Sequence, residues 1–512
     1  MRFLNRLPLA ILMVLLMLTA SGILFYLADG NLACGWPNNV VRNWEQYGFL
    51  RLKGKLVMNS GGYEALTKPS VYAGHRAASL YPVFLARQLF AWTGAGTLAF
   101  HVLLSLALLL STWFLLGRSR VAWVAGAAAI LCPGYACYQT TLDPNTISVL
   151  MGLPFAAIVL PRLVKPAMSP WEFGLLLLAI AAYTTLNWTT AFVHGMLLVY
   201  VVVARNIPRR WVGLYIALAA VSTLLIGGMS VLEKREGHAS FSDFLGGYAW
   251  GSGGYGTFLT VDRAAVRLLF VATAGLLPLL LVCGYLLARH RTSSRRRRWF
   301  AFSPLAVGIL GVGVLRNYFG HHPWMAAPVF LVGLVLSMGL VVQTGQAAPT
   351  VGEMQARGKI LGPAAFLGGC FAYGAVVVVM SSLQNWEAQA LVALLRAHTA
   401  RSDTIVMAET DAMLVEHSGT ISEYADRRVL VVPDLSRFDG SGSRAFLLSP
   451  SGELRLPLVA RTLEPALASW PLVERMLGLY SKSVARRMPG NRGLRPGTCY
   501  LYELGERQLQ NR

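Results

Sequence analysis

Eleven apolar segments, separated by polar connections, follow one another along the first 382 residues of the chain. A helix needs roughly 20 apolar residues to cross a bilayer, and several of these segments are near the lower limit of length. The segments lie at about residues 5–28, 96–117, 120–136, 145–161, 172–186, 188–204, 211–231, 264–288, 299–315, 323–343 and 361–381. We therefore predict an all-α polytopic membrane domain over residues 1–382, with about 11 spans, followed by a separate domain over residues 383–512.

Every second connection between these segments is short, rich in arginine and nearly free of acids. The basic residues of this set are Arg2 and Arg6, Arg118 and Arg120, Arg162 and Lys165, Arg205, Arg209 and Arg210, Arg289, Arg291 and Arg295 to Arg298, and Arg357 and Lys359. The only acids among them are Glu172 and Glu353. The positive-inside rule places such connections in the cytoplasm. We expect a cytoplasmic N-terminus and an extracytoplasmic C-terminal domain, in the cytoplasmic (inner) membrane.

Two apolar stretches, residues 77–93 and the first of the eleven segments, need a separate interpretation. Residues 77–93 are interrupted by Arg87, and a span there would move the Arg295–Arg298 run to the outer side. We therefore predict an amphipathic helix in the outer membrane interface. The first apolar segment continues to Leu27, past the small residues where a signal peptide would be cleaved, and so predicts a retained anchor.

Composition agrees with a membrane protein that has room for one sizeable soluble domain, since 55% of the 512 residues are hydrophobic and 13% are charged. The net charge of +21 does not indicate a nucleic-acid partner. Most Lys and Arg flank the spans, where they indicate topology and contact with anionic lipid headgroups. The cysteines have no metal-type spacing, and we expect buried thiols rather than disulfides.

The C-terminal tail is nearly balanced in charge and alternates between strand and helix patterns. Strand patterns cover residues 403–407 and 428–432, separated by residues 409–418, and a helical pattern covers residues 462–480. We expect a small α/β domain.

Polar residues that membrane packing does not explain lie in the connections of the opposite, outer side. The first outer loop, residues 29–95, is too long for a simple connector, and long ordered loops are usually functional. Asp143 begins a span, where it is either a helix N-cap or a site carboxylate. Arg316 with His321, and His75 with Arg76, are donors that can hold a phosphate, although headgroup anchoring is an alternative.

Together these features resemble the GT-C superfamily of membrane-embedded glycosyltransferases, which includes protein O-mannosyltransferases and the lipid A aminoarabinose transferase. The resemblance is carried by Arg42–Gly48, Tyr72–Arg76, Asp143 and Glu423–Arg428. It implies a cytoplasmic N-terminus, a long first outer loop with interfacial helices, many spans and an outer soluble domain.

The resemblance also implies an activity. A sugar carried on polyprenyl phosphate would be moved to a glycan, lipid or protein acceptor at the outer membrane surface, with inversion in a single displacement. The family's acid, commonly found about 15 residues before the Gly of the first loop, has no counterpart between Cys34 and Asn39. The implied catalytic carboxylates are therefore Asp143, Asp29 and Glu45, and the implied phosphate ligands are Arg316, His321, His75 and Arg76. A divalent metal has no support in the sequence.

Two other classes fit part of the pattern. A transporter or flippase of a lipid-linked sugar would explain many spans, but such proteins place ionisable groups near the bilayer midplane and often contain inverted repeats. A non-enzymatic subunit of an envelope polysaccharide assembly would explain the missing acid. The crowding of polar residues on one face favours the transferase.

Overall fold

A computed structural model describes most of the chain, and the statements below concern the described residues. These are residues 7–28, 36–62, 65–69, 71, 77–90, 95–136, 143–204, 206–236, 268–269, 271–289, 299–315, 319, 323–344, 361–383, 386–411, 414, 418–433, 444–450, 452, 454, 456–462 and 499–504. They form two compact units. The helical unit comprises Met1–Ala28 and Ala73–Val379, and the sheet unit comprises Asp29–Tyr72 and Met380–Arg512.

The described residues are mostly helical. The helices are α1 (Leu7–Ala28), α2 (Trp36–Tyr47), α3 (Tyr81–Leu89), α4 (Gly96–Leu115), α5 (Arg120–Leu131), α6 (Pro133–Ala136), α7 (Pro144–Leu150), α8 (Gly152–Val164), α9 (Pro170–Thr184), α10 (Thr190–Val203), α11 (Arg209–Glu236), α12 (Leu277–Arg289), α13 (Ser303–Val314), α14 (Pro323–Thr344), α15 (Leu361–Leu383), α16 (Trp386–His398) and α17 (Ser418–Ala425). Short 3-10 turns cover Ser60–Gly62, Ala77–Leu80 and Ala274–Leu276.

An apolar helix occurs in each of the eleven predicted segments. Six are long and apolar enough to cross a membrane, namely Gly96–Leu115, Pro144–Val164, Arg209–Gly228, Val271–Ala288, Met325–Gln343 and Gly362–Val379. The others are shorter, at Val14–Leu24, Arg120–Leu131, Pro170–Thr184, Thr190–Val203 and Ser303–Val314. The helical membrane architecture is confirmed, and the number of crossings stays a prediction.

The segment at residues 77–93 forms the turn Ala77–Leu80 and the nine-residue helix α3. This helix is too short to cross a bilayer. Val83 and Ala86 are buried on one side, whereas Leu85 and Leu89 are exposed on the other. The predicted helix is confirmed, and its position in the membrane interface stays a prediction.

Packing in the helical unit centres on α14. In its apolar stretch 94% of the residues are buried, against 22% for α11 and α15. Small residues allow close backbone approach. A Cβ on Gly374 of α15 would lie 2.8 Å from the carbonyl oxygen of Leu131, and one on Gly333 of α14 would lie 3.0 Å from the Cα of Leu305. Such contacts are typical of helices packed within membranes.

The sheet unit contains five short strands. They are β1 (Thr404–Ala408), β2 (Arg428–Val432), β3 (Ala445–Ser449), β4 (Leu458–Arg461) and β5 (Tyr500–Leu504), in the order β2-β1-β3-β5-β4. Strand β1 is parallel to β2 and β3, and β5 is antiparallel to β3 and β4. Leu391, Leu395, Ile405, Phe446 and Leu501 belong to the buried core on which the sheet rests.

The predicted strands at residues 403–407 and 428–432 correspond to β1 and β2. In the intervening stretch, residues 409–418, Leu414 is helical and α17 begins at Ser418, whereas residues 412, 413 and 415–417 lie outside the described residues. The first three residues of this stretch are not helical. The reason is that residues 409–411 form a turn, in which Glu409 N–H donates to Val432 O and Asp411 N–H donates to Ala408 O. The predicted helix at residues 462–480 falls almost entirely outside the described residues.

The division of the chain differs from the predicted boundary at residues 382 and 383. The prediction assigned the whole first loop, residues 29–95, to the membrane domain, whereas the structure divides this loop between its two units after Tyr72. The physical reason is that α2 packs on α17 and on the turn Ser60–Gly62, burying Val40, Val41 and Trp44. The four described cysteines, Cys132, Cys283, Cys370 and Cys499, are buried free thiols, and Cys34 and Cys137 lie outside the described residues.

Candidate functional site

Asp143 lies at the N-cap of α7 with its side chain buried. Its Oδ2 atom accepts hydrogen bonds from the backbone N–H of Thr146 at 2.7 Å and from the Thr146 hydroxyl at 2.9 Å. Pro144 occupies the first helical position, where a missing N–H costs nothing. The predicted N-cap is therefore confirmed.

The second carboxylate oxygen of Asp143 has a different environment. The residue is 1% exposed, and Oδ1 has no hydrogen-bond partner within the part of the chain that the structure describes. Burial raises the pKa of the Asp143 carboxyl to about 6, and the hydrogen bonds from Thr146 and the influence of the Asn145 backbone N–H oppose this rise. A carboxylate with one oxygen fixed and the other unpaired is suited to accept a proton or a hydrogen bond from a ligand. That site role stays a prediction.

A pair of buried amides joins the start of α7 to the connection before α10. Asn187 donates through Nδ2 to Oδ1 of Asn145 at 2.9 Å, and Asn145 donates through Nδ2 to the sulfur of Met325 in α14 at 3.3 Å. Both asparagines are fully buried. The N-terminal ends of α7, α10 and α14 therefore meet around Asn145, two residues after Asp143.

A second set of polar contacts joins α7, α9 and α10 next to this amide pair. The Tyr183 hydroxyl donates to the backbone oxygen of Ser148 at 3.0 Å, and the Tyr183 ring stacks on Phe155. Thr184 donates its only hydroxyl proton to Ile180 O, so Nε2–H of His194 is the donor in its 3.2 Å contact with Thr184. These contacts join α7 to α10 through α9 and hold the region around Asp143 in place.

Glu45 belongs to the sheet unit, where it lies on the exposed face of α2. The remaining predicted site residues, Asp29, His75, Arg76, Arg316 and His321, lie outside the described residues. Two described neighbours of these segments contact the Asp143 region. The turn Ala77–Leu80, which follows Arg76 directly in the sequence, packs against α7, and Met325, four residues after His321, contacts Asn145.

The sheet unit contains a charged cluster that the sequence analysis missed. Asp426 is buried, and its Oδ2 atom accepts hydrogen bonds from Nε of Arg401 at 2.8 Å and from Nη1 of Arg42 at 3.0 Å. Its Oδ1 atom accepts from the backbone N–H of Gly61 at 2.8 Å. Burial alone would raise the pKa of Asp426, but the two guanidinium groups and the Gly61 N–H hold it below its ordinary value. We name these four residues the Asp426 cluster.

Polar contacts extend this cluster along α2. Arg401 also donates to Oδ1 of Asn43 at 2.7 Å, and Asn43 donates to the backbone oxygen of Val57 at 2.8 Å. The backbone N–H of Trp36 donates to Glu423, and the side chain of Asn39 donates to Glu423 O. The two segments that carried the resemblance, residues 42–48 and 423–428, are thus in contact. Arg42, the first residue of the earlier segment, pairs with Asp426.

Gly61 lets the backbone of the first loop approach the sheet closely. It has a φ of +65°, and a Cβ here would lie 2.8 Å from Arg401 O and 3.1 Å from Arg428 N. Because only glycine fits both the conformation and the space, this residue is required for the Asp426 cluster to form. Among the described residues no group of three His, Cys, Asp or Glu side chains is arranged to hold a metal ion.

The apolar helices and the small mixed sheet define a polytopic membrane protein, and its fold is that of solved structures of ArnT. The crystal structure of ArnT from Cupriavidus metallidurans bound to undecaprenyl phosphate has this fold, with a TM-score of 0.58 and 13% sequence identity over 89% of this chain and 96% of that one. ArnT in the apo state matches with a TM-score of 0.51 and 12% identity over the same shares.

The predicted resemblance to the GT-C fold, including the lipid A aminoarabinose transferase ArnT, is confirmed. At this level of identity the likeness concerns the fold alone. No protein-family model matches the chain, and no curated protein sequence matches it.

Proposed function

We propose that this protein is an integral membrane glycosyltransferase that takes a sugar from a polyprenyl-phosphate donor. The single observation that carries the proposal is the shared fold with ArnT bound to undecaprenyl phosphate, which covers nearly the whole of both chains. The unpaired oxygen of Asp143 supports it, because transfer to a hydroxyl acceptor needs a group that can take a proton.

The proposal includes a topology. Eleven crossings with a cytoplasmic N-terminus put the starts of α7, α10 and α14, and with them Asp143, at the extracytoplasmic end of the helical unit. The arginine-rich connections support this orientation. Since nucleotide sugars are cytoplasmic, an enzyme acting at the outer face of the cytoplasmic membrane needs a lipid-linked donor.

In the proposed reaction Asp143 Oδ1 accepts the proton of the acceptor hydroxyl as the hydroxyl oxygen attacks the anomeric carbon. The bond from that carbon to the donor phosphate oxygen breaks in the same step, so configuration inverts and polyprenyl phosphate leaves. Arg316, His321, His75 and Arg76 offset the charge of the departing phosphate. Their sequence neighbours Met325 and Ala77–Leu80 contact the Asp143 region, which supports this assignment. Asp29 and Glu45 remain secondary candidates for the base.

The proposal can be tested with the full chain purified into lipid nanodiscs. We expect the protein to bind undecaprenyl phosphate, and to release it from undecaprenyl-phosphate sugars when an envelope extract supplies the acceptor. Asp143→Asn keeps the N-cap but removes the basic oxygen, so binding should persist while turnover falls roughly 100-fold or more. Matched controls are Asp411→Asn and the parent.

Two results would count against the proposal. Lipid binding without turnover for any sugar or extract would favour a non-enzymatic subunit of a polysaccharide assembly. Full turnover by Asp143→Asn, by Glu45→Gln, by Asp29→Asn and by the triple variant would remove the carboxylate mechanism.

A further inference from the structure

We propose that Thr189 binds a hydroxyl group of a sugar at the joined starts of α7 and α10, where Asp143 also presents its unpaired oxygen. The inference rests on the proposed function and extends it to the connection between α9 and α10. This connection contains no ionisable residue between Thr185 and Thr189, so charge gave no signal for it in the sequence.

Thr189 is at the N-cap position of α10 but does not cap the helix. A threonine there ordinarily accepts a hydrogen bond from a backbone N–H of the first turn. Its side chain makes no such bond, the residue is 1% exposed, and Oγ1 has no hydrogen-bond partner among the described residues. A buried hydroxyl without a partner is costly, and in a native protein such a group calls for an explanation.

Asn187 and Thr190, rather than Thr189, make the side-chain hydrogen bonds of this turn. The Asn187 side-chain oxygen accepts from the backbone N–H of Trp188 at 2.8 Å, and the Thr190 hydroxyl donates to Asn187 O at 2.7 Å. The turn is therefore stabilised without Thr189. Its hydroxyl is left available, which is the arrangement expected of a group that binds a ligand.

The unpaired atoms of Thr189 and Asp143 belong to the same region. Asp143 is two residues before Asn145, Thr189 is two residues after Asn187, and the two asparagine side chains are joined by a 2.9 Å hydrogen bond. Two residues of chain extend at most about 7 Å. Asp143 and Thr189 are thus each within two residues of one amide pair, at the starts of two helices that contact each other.

The chemistry of these atoms selects a hydroxyl ligand. A carboxylate oxygen only accepts hydrogen bonds, whereas a threonine hydroxyl can donate and accept. An anionic group would be repelled by Asp143. A sugar offers adjacent hydroxyls that can donate to the carboxylate and exchange a hydrogen bond with Thr189. The hydroxyls can come from the donor sugar or from the acceptor.

The test compares Thr189→Val, which keeps the shape and removes the hydroxyl, with Thr189→Ser, which keeps the hydroxyl. Thr185→Val is the matched control, because it removes an exposed hydroxyl that donates to Ala182 O in the same connection. Affinities are measured for bare undecaprenyl phosphate and for undecaprenyl phosphate carrying glucose, mannose or 4-amino-4-deoxyarabinose. Acceptor KM and unliganded thermal stability are measured in parallel.

We expect Thr189→Val to bind bare undecaprenyl phosphate like the parent. It should show either a roughly tenfold lower affinity for a sugar-bearing lipid or a roughly tenfold higher KM for the acceptor. The first loss assigns the hydroxyl to the donor and the second to the acceptor. Thr189→Ser and Thr185→Val should stay within about threefold of the parent. Unliganded Thr189→Val should unfold at the same or a higher temperature, because an unpaired buried hydroxyl has been removed.

Unchanged sugar affinity and unchanged acceptor KM in Thr189→Val would overturn the inference, even if the parent transfers sugar. A lower unfolding temperature for Thr189→Val would also overturn it, because the hydroxyl would then be a structural group. A parent chain that neither binds nor transfers any sugar-bearing lipid would remove the proposed function and this inference together.

Discussion

Arg42 and Asp426 form an ion pair with 3.0 Å between Nη1 and Oδ2, although 384 residues separate them in the sequence. Arg401 shares the same carboxylate oxygen at 2.8 Å. Asp426 therefore contributes, together with the contacts of Glu423 and Asn43, to joining the first loop and the C-terminal part of the chain in one unit. This relationship yields three predictions about stability.

Removing a cation from the Asp426 cluster should destabilise the sheet unit. Arg401→Ala leaves a buried carboxylate with one fewer partner, and we expect a loss on the order of 2 to 3 kcal/mol in the free energy of unfolding. The loss is measured by thermal unfolding of the purified protein, with protease digestion of the sheet unit as the readout. Arg51→Ala, at an exposed position of the same loop, is the control and should change little. Equal effects of both substitutions would show that the cluster contributes nothing.

The stability of the sheet unit should depend on acid pH through Asp426. The pKa of this group is lower in the folded state than its ordinary value of 3.8. The unfolded state therefore binds more protons in this range, so the contribution of Asp426 is complete above about pH 4 and is lost as pH falls further. Urea unfolding between pH 3 and pH 7 tests this, and Asp426→Asn should flatten that part of the profile. An unchanged slope in Asp426→Asn would contradict the assignment.

Gly61→Ala should destabilise the sheet unit by about 3 kcal/mol, because a Cβ there meets backbone atoms of Arg401 and Arg428. Gly48→Ala is a matched comparison. Gly48 also has a positive φ, of +90°, but the nearest atom to a Cβ there is Arg51 Cβ at 3.8 Å. The difference between the free energies of unfolding of the two variants, measured by chemical denaturation, gives the contribution of the close backbone approach at Gly61. A Gly48→Ala effect as large as that of Gly61→Ala would show that backbone conformation alone is responsible.

Sugar transfer should require the charged form of Asp143. Its pKa is raised to about 6, so the fraction of basic carboxylate, and with it the turnover rate, should fall about tenfold per unit below pH 6. Stability should respond in the opposite direction, because the folded state binds the proton more tightly than the unfolded state between about pH 4 and pH 6. Turnover measured from pH 5 to pH 8 provides the check, and a flat profile there would exclude Asp143 as the base.

The proposed topology predicts which sites an impermeant thiol reagent reaches in intact cells. Leu50 is 86% exposed in the first loop, and Ala167 is exposed in the connection between α8 and α9. We expect Leu50→Cys to be labelled above the background of the parent and Ala167→Cys to be labelled only after the membrane is opened. The reverse pattern would invert the orientation and place Asp143 on the cytoplasmic side.

The sequence predicted features that depend on local pattern. Hydropathy located the apolar helices, and Asp143 before Pro144 indicated a helix start. Hydrophobic runs with turn residues located β1 and β2. Each of these signals lies within about 20 residues, the length over which helix and strand periodicity act.

Features that depend on distant partners could not be predicted. The sequence contains several Lys and Arg residues that could pair with Asp426, and the residues around Asp426 do not indicate that Arg42 and Arg401 are its partners. The Asn145–Asn187 hydrogen bond joins two uncharged side chains 42 residues apart, in short connections whose sequence gives no sign of the contact. The same reason explains the missed division of the first loop, since the apolar face of α2 does not identify what covers it.

The Asp426 cluster also sets an order of events during synthesis. Arg42 leaves the ribosome 384 residues before Asp426, which at about 5 to 20 residues per second is a delay of roughly 20 to 80 s. Throughout that interval α17, which helps to bury Val40, Val41 and Trp44 on the apolar side of α2, has not yet been made. The cover of this side of α2 is therefore incomplete until residues 418–425 arrive. Truncation of the chain before α17 would leave this early segment exposed to proteases.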